Sequence, residues 1–139
     1  MKALMLTLVM LLSLASCTDD KTNENNKGIV GTWKLIATYG SDGGSIAKWS
    51  SVDKGYTYTF NSDGTFTSTR FSECTQGTYK LNPTSLILDF GCNGFDTKIE
   101  SPAGTFSEKI SYENENVILT PSYLMCDEGC AYKFEKVAQ

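Results

Sequence analysis

Tyr56-Thr57-Tyr58-Thr59-Phe60-Asn61-Ser62-Asp63-Gly64-Thr65-Phe66 is the stretch that decides the fold. Its first five residues alternate aromatic rings with threonines, the period of two expected of a strand with one buried face. Asn61 to Gly64 supply turn chemistry, with glycine where the backbone must enter the left-handed region, and Thr65 to Phe71 return as the partner strand. Ser62-Asp63-Gly64 lacks the further ligand spacing and closing glutamate of a calcium loop, so it reads as a turn.

Working outward, the same grammar repeats. Gly31 to Tyr39 places Trp33, Leu35, Ala37 and Tyr39 on one face of a strand. Downstream, Cys74–Leu81 and Ser85–Phe90 flank Asn82-Pro83-Thr84, and Thr105–Glu113 and Asn116–Pro121 flank a second short turn. Cys130 to Val137 closes the chain, with Tyr132 and Phe134 on one side. These are eight strands, and no segment carries a 3.6-residue apolar period. Short strands joined by close turns predict an all-β antiparallel barrel or sandwich.

Composition narrows the chemistry. The 139 residues contain no histidine, which removes Ser-His-Asp and Cys-His nucleophilic catalysis and the commonest zinc ligand. A net charge of −4 argues against a nucleic-acid partner, which needs a basic face. Asp63, Asp89 and Asp96 are scattered near turns and strand ends, and no phosphate-binding loop or nucleophile elbow is present. The expectation is a protein that is not an enzyme and has neither cofactor nor metal.

The N-terminus carries an address. Lys2, the apolar run Ala3 to Leu12 and the small residues Ser13 to Ser16 have the layout of a secretory signal, and the run is too short to span a bilayer. Leu14-Ala15-Ser16-Cys17 resembles the lipobox of bacterial lipoproteins. That resemblance implies cleavage before Cys17, acylation of Cys17 with diacylglycerol and palmitate, and a durable membrane anchor. Thr18 in place of an aspartate, followed by Asp19 and Asp20, is similar to lipoproteins sorted to the outer membrane, on its periplasmic or cell-surface face. Residues 18–28 contain no apolar side chain and are expected to form a flexible spacer. The organisation is therefore a signal peptide over 1–16, a lipidated Cys and tether over 17–28, and one domain over 29–139, expected to be monomeric.

Besides Cys17 there are four cysteines, an even number that in an oxidising compartment reads as two disulfides with three possible connectivities. In a hairpin centred on Pro83, Cys74 and Cys92 each stand nine residues from the turn and face one another. The favoured pairing is Cys74–Cys92, which leaves Cys126 with Cys130.

Gly31-Thr32-Trp33 at the head of the first strand resembles the Gly-x-Trp of lipocalins, whose tryptophan packs across the closed end of an eight-stranded up-and-down barrel. The long link from Gly40 to Gly55, the Phe60–Phe66 hairpin, Gly77-Thr78-Tyr79 and the closing Tyr132-Lys133-Phe134 are similar to bacterial lipocalin-like lipoproteins. The Thr-Asp-x-x-Tyr motif, the arginine of the last strand and the helix before it, all found in core lipocalins, are absent from the sequence. The resemblance implies a single antiparallel eight-stranded barrel that binds a small hydrophobic or amphipathic molecule. Tyr39, Ile46, Trp49, Tyr56 and Tyr58 are the candidate lining residues. The alternative is a filled barrel serving as a protein-interaction module of the cell envelope, with Trp49 and the Cys126–Cys130 loop as its contact points.

Overall fold

The computed structural model describes residues 28–127 and 129–138. The signal sequence, Cys17 and the spacer as far as Lys27 lie outside the described residues. Nine strands form one antiparallel sheet: β1 (Gly31–Gly40), β2 (Lys48–Ser51), β3 (Thr57–Phe60), β4 (Thr65–Ser68), β5 (Gln76–Asn82), β6 (Ser85–Phe90), β7 (Thr105–Glu113), β8 (Asn116–Pro121) and β9 (Ala131–Lys136). From β3 to β9 each strand pairs with the next, and β9 returns to pair with β1 from Trp33↔Lys136 to Tyr39↔Ala131. The sheet is therefore closed, which removes the free edges that an open sheet would present.

Nine strands make an eight-stranded barrel because β2 and β3 share one edge of β1. β3 pairs with Gly31 to Lys34 and β2 with Ala37 to Gly40. Between them the chain bends inward at Val52 to Gly55, bridged to β1 by Val52 N–H to Ile36 O and Leu35 N–H to Tyr56 O. A side chain at Gly55 would place its Cβ on the Leu35 carbonyl oxygen, so the bend requires glycine. The Gly40–Gly55 link thus contains a strand that the pattern does not announce. All four residues of Lys48-Trp49-Ser50-Ser51 are exposed, and alternation has nothing to mark where neither face is buried.

Two other features depart from the expected pattern. β4 stops at Ser68 rather than Phe71: the Ser68 hydroxyl accepts the Arg70 N–H at 3.0 Å and the Ser68 N–H donates to Thr75 O at 2.8 Å, turning the chain early. β1 carries a bulge, since β9 partners step from Leu35↔Phe134 to Ala37↔Lys133 with Ile36 left over. Beyond the bulge the face reverses. Trp33 and Leu35 are buried, whereas Ala37 and Tyr39 turn outward, opposite the expected single face.

The barrel has a tight end and a loop end. The turns at 61–64, 83–84 and 114–115 lie at the tight end, and the longer connections, 41–47, 69–75, 91–104 and 122–130, lie at the other. Trp33 closes the tight end: it is 4 % exposed, donates its indole N–H to Ile29 O at 2.7 Å, and is covered by the Lys136 ammonium 5.5 Å from its ring centroid. Lys136 on β9 thus caps the Trp33 ring from outside. The barrel is filled above Trp33 by Tyr58, Phe66, Phe106 and Phe134, each at most 1 % exposed. Its rings meet largely edge to face, as in Phe60–Tyr79 at 4.9 Å and Phe66–Phe90 at 5.0 Å. Among the described residues the buried core runs from Ile29 to Phe134.

Both disulfides sit at the loop end. Cys74–Cys92 joins the β4–β5 and β6–β7 connections, and Cys126–Cys130 closes a short loop before β9. Chain-entropy reasoning for the 18-residue separation predicts that replacing Cys74 and Cys92 together by alanine lowers stability by about 3 kcal/mol in a denaturant titration. Gly55→Ala, which forces the collision with Leu35, is expected to lower stability by roughly 2–3 kcal/mol in the same measurement.

Candidate ligand site at the loop end of the barrel

The interior is apolar except for one layer. Glu108 on β7 faces inward between Phe106 and Ile110 and is 2 % exposed. Arg70, just past the end of β4, extends across the barrel above it. One guanidinium nitrogen donates to the Tyr58 hydroxyl and another to the Tyr123 hydroxyl, both at 3.2 Å, and the Tyr123 hydroxyl donates to Glu108 Oε1 at 3.0 Å. Arg70 and Glu108 approach to 4.0 Å.

Aromatic rings surround the cation. The Arg70 guanidinium carbon lies 4.8 Å from the ring centroids of both Phe71 and Phe106 and 5.6 Å from that of Tyr56. Only a planar, permanently charged group lies flat on rings while its fork of donors reaches hydroxyls beside them. On its outer side Phe71 meets Phe95 at 5.1 Å, and both line a surface cleft of about 410 Å3 with Glu73, Cys92, Asn93 and Asp96.

The electrostatics of the layer are strained in one place. Glu108 Oε2 is buried and has no hydrogen-bond partner among the described residues. Burial pushes the Glu108 carboxyl up to about 7, although the Tyr123 hydrogen bond and the Arg70 charge both pull it down. Burial likewise raises the phenols of Tyr56, Tyr58 and Tyr123, so they stand as neutral donors and acceptors around the guanidinium. Glu100, in the β6–β7 connection, is the contrasting case. Despite burial its carboxylate is held at about 2 by Thr97 and by the Gly104 and Thr97 backbone N–H groups, and it pins its own loop.

The residues expected to line a pocket separate into two groups. Tyr56 and Tyr58 point inward and meet edge to face at 5.4 Å, beside Arg70. Tyr39 and Trp49 pair across β1 and β2 on the outer face at 5.4 Å, with the Lys133 ammonium 4.5 Å from the Trp49 ring. Ile46 is 91 % exposed in the loop before β2. Arg70, Glu108 and Tyr123 are absent from the expected set, yet two signals for them were present. Arg70 is the single arginine beside eleven lysines, and Glu108 occupies an inward position of an otherwise apolar alternation, Phe106-x-Glu108-x-Ile110.

Residues 29–136 match the family model of the lipocalin-like domain. A solved structure, that of a lipocalin-like protein from Bacteroides uniformis, aligns with a TM-score of 0.52 at 16% identity, covering 79% of this chain and 99% of the other. At that identity the likeness concerns the fold. No curated protein matches the chain.

The buried carboxyl makes a pH signature. Because the folded value is raised from 4.5 to about 7, the contribution of Glu108 to stability is fully present below pH 4.5 and is lost as pH rises through about 7. Glu108→Gln keeps the shape and removes this dependence. Thermal or denaturant unfolding across that pH range should show the variant gaining up to about 3 kcal/mol on the wild type at the alkaline end.

Proposed function

The chain belongs to the lipocalin-like domain family, and from that premise we propose that it is an envelope-tethered binding protein for a small amphipathic molecule, held at the loop end of the barrel. Cys17, acylated after cleavage of residues 1–16, anchors it to the outer membrane, and the acidic spacer carries the barrel clear of the surface. The barrel binds without catalysing.

One observation carries the reading: the Arg70–Glu108 layer inside an otherwise apolar interior. A barrel that only had to be filled is served as well or better by hydrophobic side chains, since a buried ion pair recovers at most what its desolvation costs. Buried charges with displaced pKa values concentrate where a protein meets a ligand. The lower barrel is packed with rings, so the reading confines the ligand to the level of Arg70 and the cleft outside Phe71, and excludes a deep cavity.

A second reading has its own observation. Trp49 remains 39 % exposed on a strand with no buried residue, and exposed Ile46 precedes it in the loop before that strand, a segment suited to a protein partner.

Native mass spectrometry of residues 18–139 from the periplasm of an expression host separates the two. A small-molecule adduct lost on denaturation is the expected result, and a clean apo mass with no uptake of hydrophobic probes transfers the proposal to the Trp49 surface. For the anchor, Cys17→Ser in the full chain should move the protein from the membrane fraction to the soluble fraction and abolish palmitate labelling.

A further inference from the structure

The layer around Arg70 has the chemistry of a cation receptor that the protein fills with its own side chain. Three aromatic faces, Phe71, Phe106 and Tyr56, lie within 5.6 Å of the guanidinium carbon, and each presents the negative face of its ring quadrupole. The Tyr58 and Tyr123 hydroxyls accept hydrogen bonds from the guanidinium nitrogens at 3.2 Å. Beneath them Glu108 offers a carboxyl with one oxygen bonded to Tyr123 and the other unpartnered among the described residues. The centre of this cage is lined by ring faces, one carboxyl and two neutral phenols whose hydroxyls can accept as well as donate. The ring faces and Glu108 favour a cation there over an anion.

Arg70 enters the cage from the connection 69–75, together with Phe71, while Tyr58, Phe106 and Glu108 are strand residues. Its side chain is 13 % exposed against 2 % for Glu108, so it lies nearer the solvent than the acid beneath it. On the far side of Phe71 lies the cleft lined by Phe71, Phe95, Glu73 and Asp96, so one cage ring is shared with a surface groove that carries two acids.

We infer that the loop end is an aromatic cage for the ammonium or guanidinium head of a cationic amphiphile, and that Arg70 is an internal plug which the ligand displaces. This rests on the reading of the loop end as a small-molecule site and names the class of ligand that site takes. Arg70 then acts against binding: the ligand must compete with a cation already present, and apparent affinity is reduced by the fraction of molecules in which the plug is in place.

The test is a titration of the barrel, residues 18–139, with decylammonium, decanol and decanoate below their micellar concentrations, followed by intrinsic fluorescence and calorimetry. Wild type is expected to prefer decylammonium. Arg70→Ala should bind it roughly tenfold more tightly, and Glu108→Gln should lose the preference over decanol. If decanoate binds best and Arg70→Ala abolishes it, Arg70 is an anchor for an acid, and the inference falls while the loop-end site stands. Absence of binding by all three probes to wild type and both variants overturns the inference together with the reading beneath it. Should Arg70→Ala fail to fold, Glu108→Gln decides alone, and an unchanged affinity for decylammonium overturns the plug.

Discussion

The antiparallel seam between β1 and β9 is the constraint from which the rest of the molecule follows. Until those strands pair, the sheet is an open meander with two unsatisfied edges and no enclosed volume. Once they pair, the circumference is set by eight strand positions, and the interior becomes a narrow shaft that side chains alone can fill. The bulge at Ile36 is part of that closure. It lets β1 serve β9 along one edge while β3 and then β2 take the other, and it reverses the facing of Ala37 and Tyr39 at the level where the shaft opens into loops.

Filling a shaft with rings leaves little freedom for polarity, which gives the Arg70–Glu108 layer its meaning. Arg70 is satisfied by two phenols and three ring faces, whereas Glu108 has one oxygen without a partner among the described residues, so the polar layer is completed on the side of the cation and not on that of the acid. The carboxyl sits in a strand, and the compensating cation sits just past a strand end. The two disulfides bracket this same region, holding the connections in place around the layer.

How much of this was legible depends on whether a residue's environment was local. The bounds of β6, β7 and β8 could be read directly, because each adjoins a tight turn at one end and buries every second residue along most of its length. The structure bonds Cys74 and Cys92 as a hairpin centred on Pro83 suggested, although the observed register, Asn82↔Ser85, centres between Pro83 and Thr84 and both cysteines lie in the connections beyond the strands. β2 was invisible, being exposed on both faces, and the outward turn of Tyr39 depended on a bulge that only the distant β9 imposes. Arg70 and Glu108 escaped notice for a related reason. Aromatic residues were weighed as pocket lining and charged ones as solvated surface, whereas Arg70 and Glu108 meet across 38 positions of sequence that only barrel closure brings together. The odd charge in an inward-facing run was the better guide.

The seam also fixes how the molecule answers to force. Gly31 and Lys136 lie side by side at the tight end, on adjacent antiparallel strands. A pull applied across the two ends of the domain therefore meets the seam one hydrogen bond at a time, opening it like a zipper from Trp33 toward Tyr39 instead of loading the whole ladder at once. The barrel is mechanically soft in that direction. The first thing to yield is the floor beneath Trp33, and the disulfide-tied rim is the last.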